Sequence, residues 1–326
     1  MEQTVEQCLD RVERVRQEIG KVLVGQKDVI EQMLWAVFAG GHALLEGVPG
    51  LGKTLLVKTM AQAFELSFSR IQFTPDLMPA DITGTNILRV DETGKQYFSF
   101  QPGPVFAQVV LADEVNRATP KTQSAMLEAM QERTVSAGGV TRELPQPFFV
   151  LATQNPLEQE GTYPLPEAQM DRFLIKIEVP FPTEEELREI VLRTTMAPNT
   201  LVEKVASGAE IIEIQKNARD ILVADPVLRY AVRLLVATHP GEAAITLVKQ
   251  YVRAGAGPRG VQALVSLAKV RAFLAGRYNV AYEDIDAVAL PALRHRIFLN
   301  FEGEAGGVRP DQIIRDILDA LGKERS

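Results

Sequence analysis

The sequence predicts an α/β fold in which a parallel sheet carries helices on both faces and a helical domain follows. Short apolar runs of strand length alternate with helical patterns as far as about residue 180, whereas only helical patterns follow Pro182. A glycine-rich segment joins the first apolar run to the next helical pattern. Strands that alternate with helices are typical of a parallel sheet buried on both faces. We therefore predict one domain over residues 1–181 and a second over residues 182–326.

Two amphipathic helices come first, over residues 4–20 and around residues 29–38, because apolar side chains recur there at helical spacing. Residues 86–100 and 133–144 each contain two β-rich runs around a glycine-containing turn, which predicts two hairpins inserted into the alternation. Thr183 and the acidic residues after it form a typical helix start that opens the second domain. The predicted strands of the sheet are residues 42–46, 66–73, 105–114, 147–154 and 173–180.

The composition is that of a globular protein, and it excludes several kinds of site. Of the 326 residues 46% are hydrophobic, and the formal net charge is −7, so no overall positive charge draws the chain to nucleic acid or anionic lipid. Cys8 is the only cysteine, which excludes an internal disulfide and a cysteine-rich zinc site. No apolar stretch approaches the ~18 residues of a transmembrane helix, and the first residues are polar and acidic, unlike a signal peptide. We expect a cytoplasmic protein without a membrane span.

Residues 47–54 fit the pattern of a phosphate-binding loop, because Gly47 is followed after four residues by Gly52, Lys53 and Thr54. The glycines let backbone N–H groups turn toward a phosphate chain, and the start of the next helix adds its positive end. Lys53 is expected to reach the β- and γ-phosphates, and the Thr54 hydroxyl to coordinate Mg²⁺. A glycine-rich turn without a ligand is the alternative. The nucleotide-binding residues we predict here are Gly47, Val48, Pro49, Gly50, Leu51, Gly52, Lys53, Thr54 and Leu55.

Two carboxylates end the third apolar run, which reads VVLADE over residues 109–114. Asp113 is placed to hold Mg²⁺ through its water shell, and Glu114 to polarise the water that attacks a γ-phosphate. An acidic pair that only caps the next helix is the alternative. The phosphate-binding pattern upstream favours the catalytic interpretation.

Three further polar side chains are candidates for the same chemistry. Asn155 ends the fourth run at the sheet edge where ligands collect, although Asn before Pro also starts ordinary turns. Arg172 precedes the last run, where a surface arginine is usually only solvated, but an arginine from a neighbouring subunit strongly accelerates phosphoryl transfer. Arg259 follows Pro258 at a predicted helix start. A positive charge there is slightly unfavourable against the helix dipole, which favours a functional role.

The order of these motifs resembles that of an AAA+ ATPase, and their sequences are similar to the corresponding motifs of the MoxR family. The resemblance runs from about residue 20 to about residue 310 and implies a five-stranded αβα domain, an all-helical lid and a hexameric ring that hydrolyses ATP with Mg²⁺. The two hairpins correspond to the inserts of the helix-2-insert branch. By this resemblance Val24, Gly25 and Gln26 contact adenine. The stretches that carry it are EGVPGLGKT, DEVNRA, ATQNP and LPEAQMDRF.

The resemblance also implies roles for the polar residues of the site. Lys53 and Glu114 would be catalytic, and Asn155 corresponds to sensor 1. Arg172 corresponds to the arginine finger acting in trans, and Arg259 to sensor 2 acting in cis. The lid motif reads GPRG here, where the family often has Ser-Pro-Arg-Ala. For Arg117, in DEVNRA, a relay at the subunit interface and an ordinary surface position both stay open.

The function implied by the resemblance is an ATP-driven machine that remodels or activates a partner complex, or matures its metal cofactor. The usual partner of MoxR proteins carries a von Willebrand factor A domain, which here would be a separate chain. A magnesium-chelatase ATPase subunit, a nucleic-acid motor and a binding-only nucleotide switch are the alternatives. The acidic balance and hairpin tips without a basic cluster disfavour the nucleic-acid motor. Glu114 and Arg172, which a pure switch does not need, disfavour the switch.

Overall fold

The structure is a computed structural model that describes residues 2–155, 162–195, 201–242 and 244–323. The strands are β1 (Ala43–Glu46), β2 (Phe68–Gln72), β3 (Gly84–Val90), β4 (Gln96–Pro102), β5 (Val109–Asp113), β6 (Thr134–Ala137), β7 (Val140–Glu143), β8 (Phe149–Gln154), β9 (Ile175–Glu178), β10 (Val252–Ala254) and β11 (Phe298–Leu299). The helices are α1 (Glu2–Val22), α2 (Lys27–Phe38), α3 (Lys53–Ala63), α4 (Pro79–Thr83), α5 (Pro120–Glu132), α6 (Glu167–Met170), α7 (Glu184–Thr195), α8 (Gly208–Arg219), α9 (Asp225–Val236), α10 (Thr246–Tyr251), α11 (Pro258–Leu274), α12 (Tyr282–Leu293), α13 (Phe301–Ala305) and α14 (Pro310–Lys323).

The central sheet has the strand order β2-β5-β8-β1-β9, and every neighbouring pair in it is parallel. β1 pairs with β8 on one side, from Ala43 opposite Leu151 onward, and with β9 on the other, from Ala43 opposite Ile175. Because all five strands run the same way, their carboxyl ends share one edge of the sheet and their amino ends the other. The prediction of a five-stranded parallel sheet is confirmed.

The two faces of the sheet pack against different apolar clusters, because successive strand residues point to opposite sides. Leu45 belongs to one cluster together with Met33 of α2 and Val57 of α3. Leu44 belongs to the other cluster together with Met126 of α5. Helices therefore cover the sheet from both sides, as the αβα prediction requires.

The first helix, α1, is amphipathic and extends two residues beyond the predicted range at each end. Val12, Val15 and Ile19 are buried on its inner face, which packs against α2, α3 and α8. Among the residues that the structure describes, no helix combines the length and the apolar character that crossing a bilayer requires.

Both predicted hairpins are present, and they touch each other. β3 pairs antiparallel with β4, and β6 with β7. The guanidinium of Arg142, on β7, lies 3.8 Å from the ring centre of Phe100, on β4. The amide of Asn86 lies against Gly138 in the turn of the second hairpin. The two inserts thus form one joined unit beside the sheet.

The residues after β9 form a predominantly helical lid in which α11 packs against α8, α9 and α12. The lid also contains the short antiparallel pair β10–β11, which the all-helical prediction lacked. These strands span three and two residues, too few to produce a strand pattern in the sequence. One apolar cluster holds both Leu45 of the sheet and Leu264 of the lid, so the two regions share a core. The boundary between residues 181 and 182 stays a prediction.

Candidate active site

The phosphate-binding loop lies between the carboxyl end of β1 and the first turn of α3. Gly50 and Gly52 have φ angles of +85° and +75°, a left-handed region that residues with a Cβ rarely adopt. Lys53 lies over the loop, and its ammonium donates to the carbonyls of Gly47 at 2.5 Å and Val48 at 3.4 Å. Burial lowers the pKa of Lys53 below its ordinary value, against the opposing carboxylates of the site. The loop therefore has the backbone turn and the cation of an anion-binding site.

Asp113 ends β5 at the same edge of the sheet and is buried. Its Oδ1 accepts a hydrogen bond from the hydroxyl of Thr153, on β8, at 2.6 Å. Its Oδ2 accepts from the Nη2 and Nε of Arg70, on β2, at 2.6 and 3.0 Å. Both neighbouring strands thus fix the orientation of this carboxylate, which is an oxygen donor suited to Mg²⁺.

Glu114 follows directly and adopts a left-handed backbone, with φ 56° and ψ 51°, that is unusual for a residue with a side chain. Its backbone N–H donates to the Thr153 hydroxyl at 2.8 Å. Its Oε2 accepts from the Gln72 amide at 2.7 Å and lies 3.1 Å from the Arg117 guanidinium. These contacts hold Glu114 in an uncommon backbone conformation at the cavity that the phosphate-binding loop also lines. Such conformations concentrate at functional sites.

One cavity of about 430 Å³ brings most of the predicted residues together. Asn155, which is buried, follows the end of β8 and lines this cavity beside Gln154. Arg70 and Thr153, which the sequence motifs did not identify, line it as well. The predicted residues that line it are Pro49, Gly50, Leu51, Gly52, Lys53, Thr54, Leu55, Asp113, Glu114 and Asn155.

A second cavity, of about 490 Å³, is lined by residues of α1, of α2 and of the segment between them. Val24 and Gly25 line it, and the Gln26 amide donates to the Leu51 carbonyl of the phosphate-binding loop at 3.1 Å. Gln26 Oε1 is buried and has no hydrogen-bond partner in the structure. The segment predicted to contact adenine therefore lies next to the loop predicted to bind phosphate.

Arg172 and Arg259 lie at the other edge of the sheet. Arg172 precedes the amino end of β9, and it lines a cavity of about 290 Å³ together with Arg259, Gly41 and His42. The loop, by contrast, follows the carboxyl end of β1, and β1 and β9 are parallel neighbours. Neither arginine lines the cavity around the phosphate-binding loop. The cis role of Arg259 stays a prediction, and in this structure Arg259 lies beside Arg172 rather than beside the loop of its own chain.

Comparison with known proteins decides the family. The ATPase family associated with various cellular activities (AAA) matches residues 42–175, and the AAA lid domain matches residues 244–317. Chaperone MoxR1 of Mycobacterium tuberculosis is 44% identical over 95% of this chain and 81% of that protein. The chain belongs to the MoxR family of AAA ATPases.

Other relatives agree with the MoxR assignment. Protein MoxR of Methylorubrum extorquens is 35% identical over 96% of this chain and 94% of that protein. A crystal structure of a protein from Cytophaga hutchinsonii superposes with a TM-score of 0.91 and 45% identity, covering 98% of this chain and 96% of that one. The predicted MoxR resemblance, the AAA fold and the lid are therefore confirmed, and the family supports ATPase activity.

Within this AAA domain the motifs missed three side chains that hold the acidic pair. Arg70 and Gln72 are on β2. Thr153 is one position before the end of β8; it lies within the ATQNP stretch, but only Asn155 of that stretch was predicted to be functional. Each acts through a neighbouring strand rather than through its own sequence context. The order β2-β5-β8 is the information that would have found them, and no local pattern supplies it.

Proposed function

We propose that this MoxR-family chain hydrolyses ATP, with Mg²⁺, at sites shared between adjacent subunits of a hexameric ring. The observation that supports the proposal is the separation of the site within one chain. The phosphate-binding loop, Asp113 and Glu114 lie at the carboxyl edge of the sheet, whereas Arg172 and Arg259 lie at the amino edge. Assembly as a ring is typical of AAA ATPases, and in the proposed ring the amino edge of one subunit would meet the carboxyl edge of the next.

The donor set at the carboxyl edge fits ATP and magnesium. Lys53 and the loop backbone would hold the phosphates, and Gln26 Oε1, buried without a donor, is an acceptor available to the base. Thr54 and Asp113 supply the oxygen atoms that Mg²⁺ prefers. When bound, the metal would neutralise charge on the β- and γ-phosphate oxygens.

Glu114 is the residue we assign to activation of the attacking water. Its carboxylate faces the same cavity as Lys53 and Asn155, and its backbone is held by Thr153. A carboxylate in this place can accept a proton from water as the oxygen attacks the γ-phosphate. Asn155 is an amide that can orient the same water or a phosphate oxygen.

Arg172 and Arg259 would act in trans, as one basic pair presented to the neighbour's γ-phosphate. Each has a guanidinium at the same cavity, and Arg259 is 45% exposed. An arginine supplied from a neighbouring subunit is worth about 10³–10⁵ in kcat for phosphoryl transfer. This assignment keeps the finger role predicted for Arg172 and replaces the cis role predicted for Arg259.

The output we propose is remodelling or activation of a partner protein, in cooperation with a separate chain that carries a von Willebrand factor A domain. The name of the M. tuberculosis relative, a chaperone, supports this class of function. The first hairpin exposes Leu88, Val90 and Phe98 rather than a basic cluster, which favours contact with protein over nucleic acid. Maturation of a partner's metal cofactor belongs to the same proposal. We place the activity in the cytoplasm, where ATP is supplied.

A mixing experiment tests the shared site. Glu114→Gln should bind ATP but fail to activate water, and Arg172→Ala should keep a complete pocket but lend no finger, so each alone is nearly inactive. Mixed subunits pair an intact pocket with an intact finger at some interfaces, and ATP hydrolysis should partly return. Full activity of Arg172→Ala alone would refute the finger assignment. Absence of recovery in mixed rings that demonstrably exchange subunits would refute the shared site.

A further inference from the structure

The segment that carries Arg172 is held by the lid rather than by Arg172 itself. Within the described ranges the Arg172 guanidinium makes no hydrogen bond or ion pair. Its position therefore depends on how residues 171–174 are fixed. Those residues connect α6 to β9 and face the turn after α12, which reads Arg294, His295 and Arg296.

Arg296 is the main contact between that turn and the segment, and only 3% of its side chain is exposed. Its Nε donates to Asp171 Oδ1 at 2.7 Å, and its Nη2 donates to the carbonyls of Phe173 at 2.7 Å and Asp171 at 3.3 Å. Its Nη1 donates to the Leu174 carbonyl at 3.2 Å. One buried lid side chain thus binds the backbone on both sides of Arg172.

His295 adds a second contact from the same turn. Its Nε2 lies 3.0 Å from the Phe173 carbonyl, and the ring is buried. On the other side of the segment, the Leu174 N–H donates to the His42 carbonyl at 2.9 Å, which ties the segment to the sheet. The residues around Arg172 are therefore hydrogen-bonded to the lid on one side and to His42, next to β1, on the other.

Asp171 contacts both Arg296 of the lid turn and Arg259. Its Oδ1 accepts from Arg296, while its Oδ2 lies 3.9 Å from the Nη1 of Arg259. A carboxylate this close to Arg259 would repel an approaching phosphate unless it were neutralised. The buried guanidinium of Arg296 supplies that neutralisation and leaves Arg259 only a long ion pair.

We infer that Asp171, held by Arg296, is a positioning residue that sets the arrangement of Arg172 and Arg259 as one unit. The inference rests on the proposed function, because the pair acts on a nucleotide bound by the neighbouring subunit. Since Arg296 belongs to the lid, a lid displacement would move the finger that a subunit offers to its neighbour. Hydrolysis in one subunit and the state of the lid in the next are thereby linked.

The first test is the variant Asp171→Ala, with Asp225→Ala as its matched control. Asp225 pairs with Arg229 on the exposed surface of α9 and lines neither cavity, so its loss should leave hydrolysis unchanged. Displacing a catalytic group by about 1 Å costs roughly 10²-fold, so Asp171→Ala should lower ATP hydrolysis about 10- to 100-fold. ATP binding to its own pocket, measured with a fluorescent nucleotide, should not change.

Mixed rings distinguish a positioning defect from general damage. Asp171→Ala subunits mixed with Glu114→Gln subunits should regain activity, because the intact pocket of the first receives the intact finger of the second. Mixed with Arg172→Ala subunits they should gain nothing, because neither chain offers a working finger. The opposite pattern, or full activity of Asp171→Ala alone, overturns the inference. The Glu114→Gln and Arg172→Ala mixture serves as reference, and its failure to recover would refute the proposed function instead.

A conservative variant keeps the test decisive if Asp171→Ala does not assemble. Asp171→Asn retains an oxygen that can accept from Arg296 Nε but loses the charge. It should assemble and keep more activity than Asp171→Ala while showing the same pattern of recovery in the two mixtures. Recovery with Arg172→Ala subunits rather than with Glu114→Gln subunits would overturn the inference for this variant as well.

Discussion

At the scale of single residues, His42 is a buried imidazole that connects three elements at the amino edge of the sheet. Its Nδ1 accepts from the Val150 N–H of β8 at 3.0 Å, so its Nε2, 3.0 Å from the Met130 carbonyl of α5, carries the hydrogen. Burial lowers the pKa of His42 to about 4, which keeps the ring neutral. His42 therefore acts as a packed donor and acceptor within the fold.

The depressed pKa of His42 predicts a loss of stability in acid. The unfolded chain takes up a proton near pH 6.5, whereas the folded chain resists it until about pH 4. The free energy of unfolding should therefore fall as the pH falls through this window, by up to about 1.4 kcal/mol per pH unit from this residue. Urea denaturation at pH 7, 6 and 5 measures it. His42→Asn, which keeps an acceptor for Val150, should show a shallower pH slope, and an unchanged slope would contradict the assignment.

A site residue was predictable from the sequence when its role depends on residues next to it in the chain. Lys53, Asp113 and Glu114 were predicted because their roles depend on sequence neighbours, a loop before a helix and the end of a strand. Arg70 and Thr153 hold Asp113 from the strands on either side of it, and the sequence order of those strands does not reveal that they are spatial neighbours. Their roles depend on a sheet order that only the folded structure provides.

At the scale of elements, the two inserted hairpins meet at the Arg142–Phe100 contact and at a close approach in one turn. Gly138 and Gly139 both have positive φ angles, of 61° and 77°. A Cβ on Gly138 would lie 2.1 Å from the Asn86 amide nitrogen, whereas a Cβ on Gly139 would meet no atom within 4 Å. The two glycines therefore share a backbone requirement, but of the two only Gly138 lies against the other hairpin, at Asn86.

This difference predicts distinct effects of two otherwise similar substitutions. Gly138→Ala and Gly139→Ala should each cost about 1–2 kcal/mol of local turn stability, because a Cβ is disfavoured in the left-handed region. Only Gly138→Ala should also separate the hairpins, because its methyl group displaces Asn86. Hydrogen exchange of residues 84–102 should then become faster in Gly138→Ala and stay near wild type in Gly139→Ala. Equal exchange in the two variants would contradict the contact.

Elements with long patterns were predicted well, and short ones were not. The five sheet strands and the two hairpins followed from apolar runs and glycine turns. The β10–β11 pair was not predicted, because strands of three and two residues show no recognisable periodicity. Their pairing also joins positions more than forty residues apart.

At the scale of the whole molecule, the sheet separates the two halves of the proposed site. β1 has four residues, so its first and last residues are roughly 10 Å apart at about 3.3 Å per step. Arg259 approaches Asp171 at the amino edge because His295 and Arg296 fix the lid there. The helix start at Arg259 was predictable from Pro258, whereas the docking of the lid was not, because it depends on contacts between distant segments. That is why the cis role was expected and a trans role is proposed.

The most direct measurement is ATP hydrolysis per subunit across protein concentrations, with the assembly state followed by sedimentation in the same buffer. If the site is shared, a monomer lacks the finger, so activity per subunit should fall by about 10³-fold or more as the assembly dissociates. It should rise again with assembly at higher concentration. Constant activity per subunit at concentrations where sedimentation shows only monomers would contradict the central claim, because one chain would then hold a complete site.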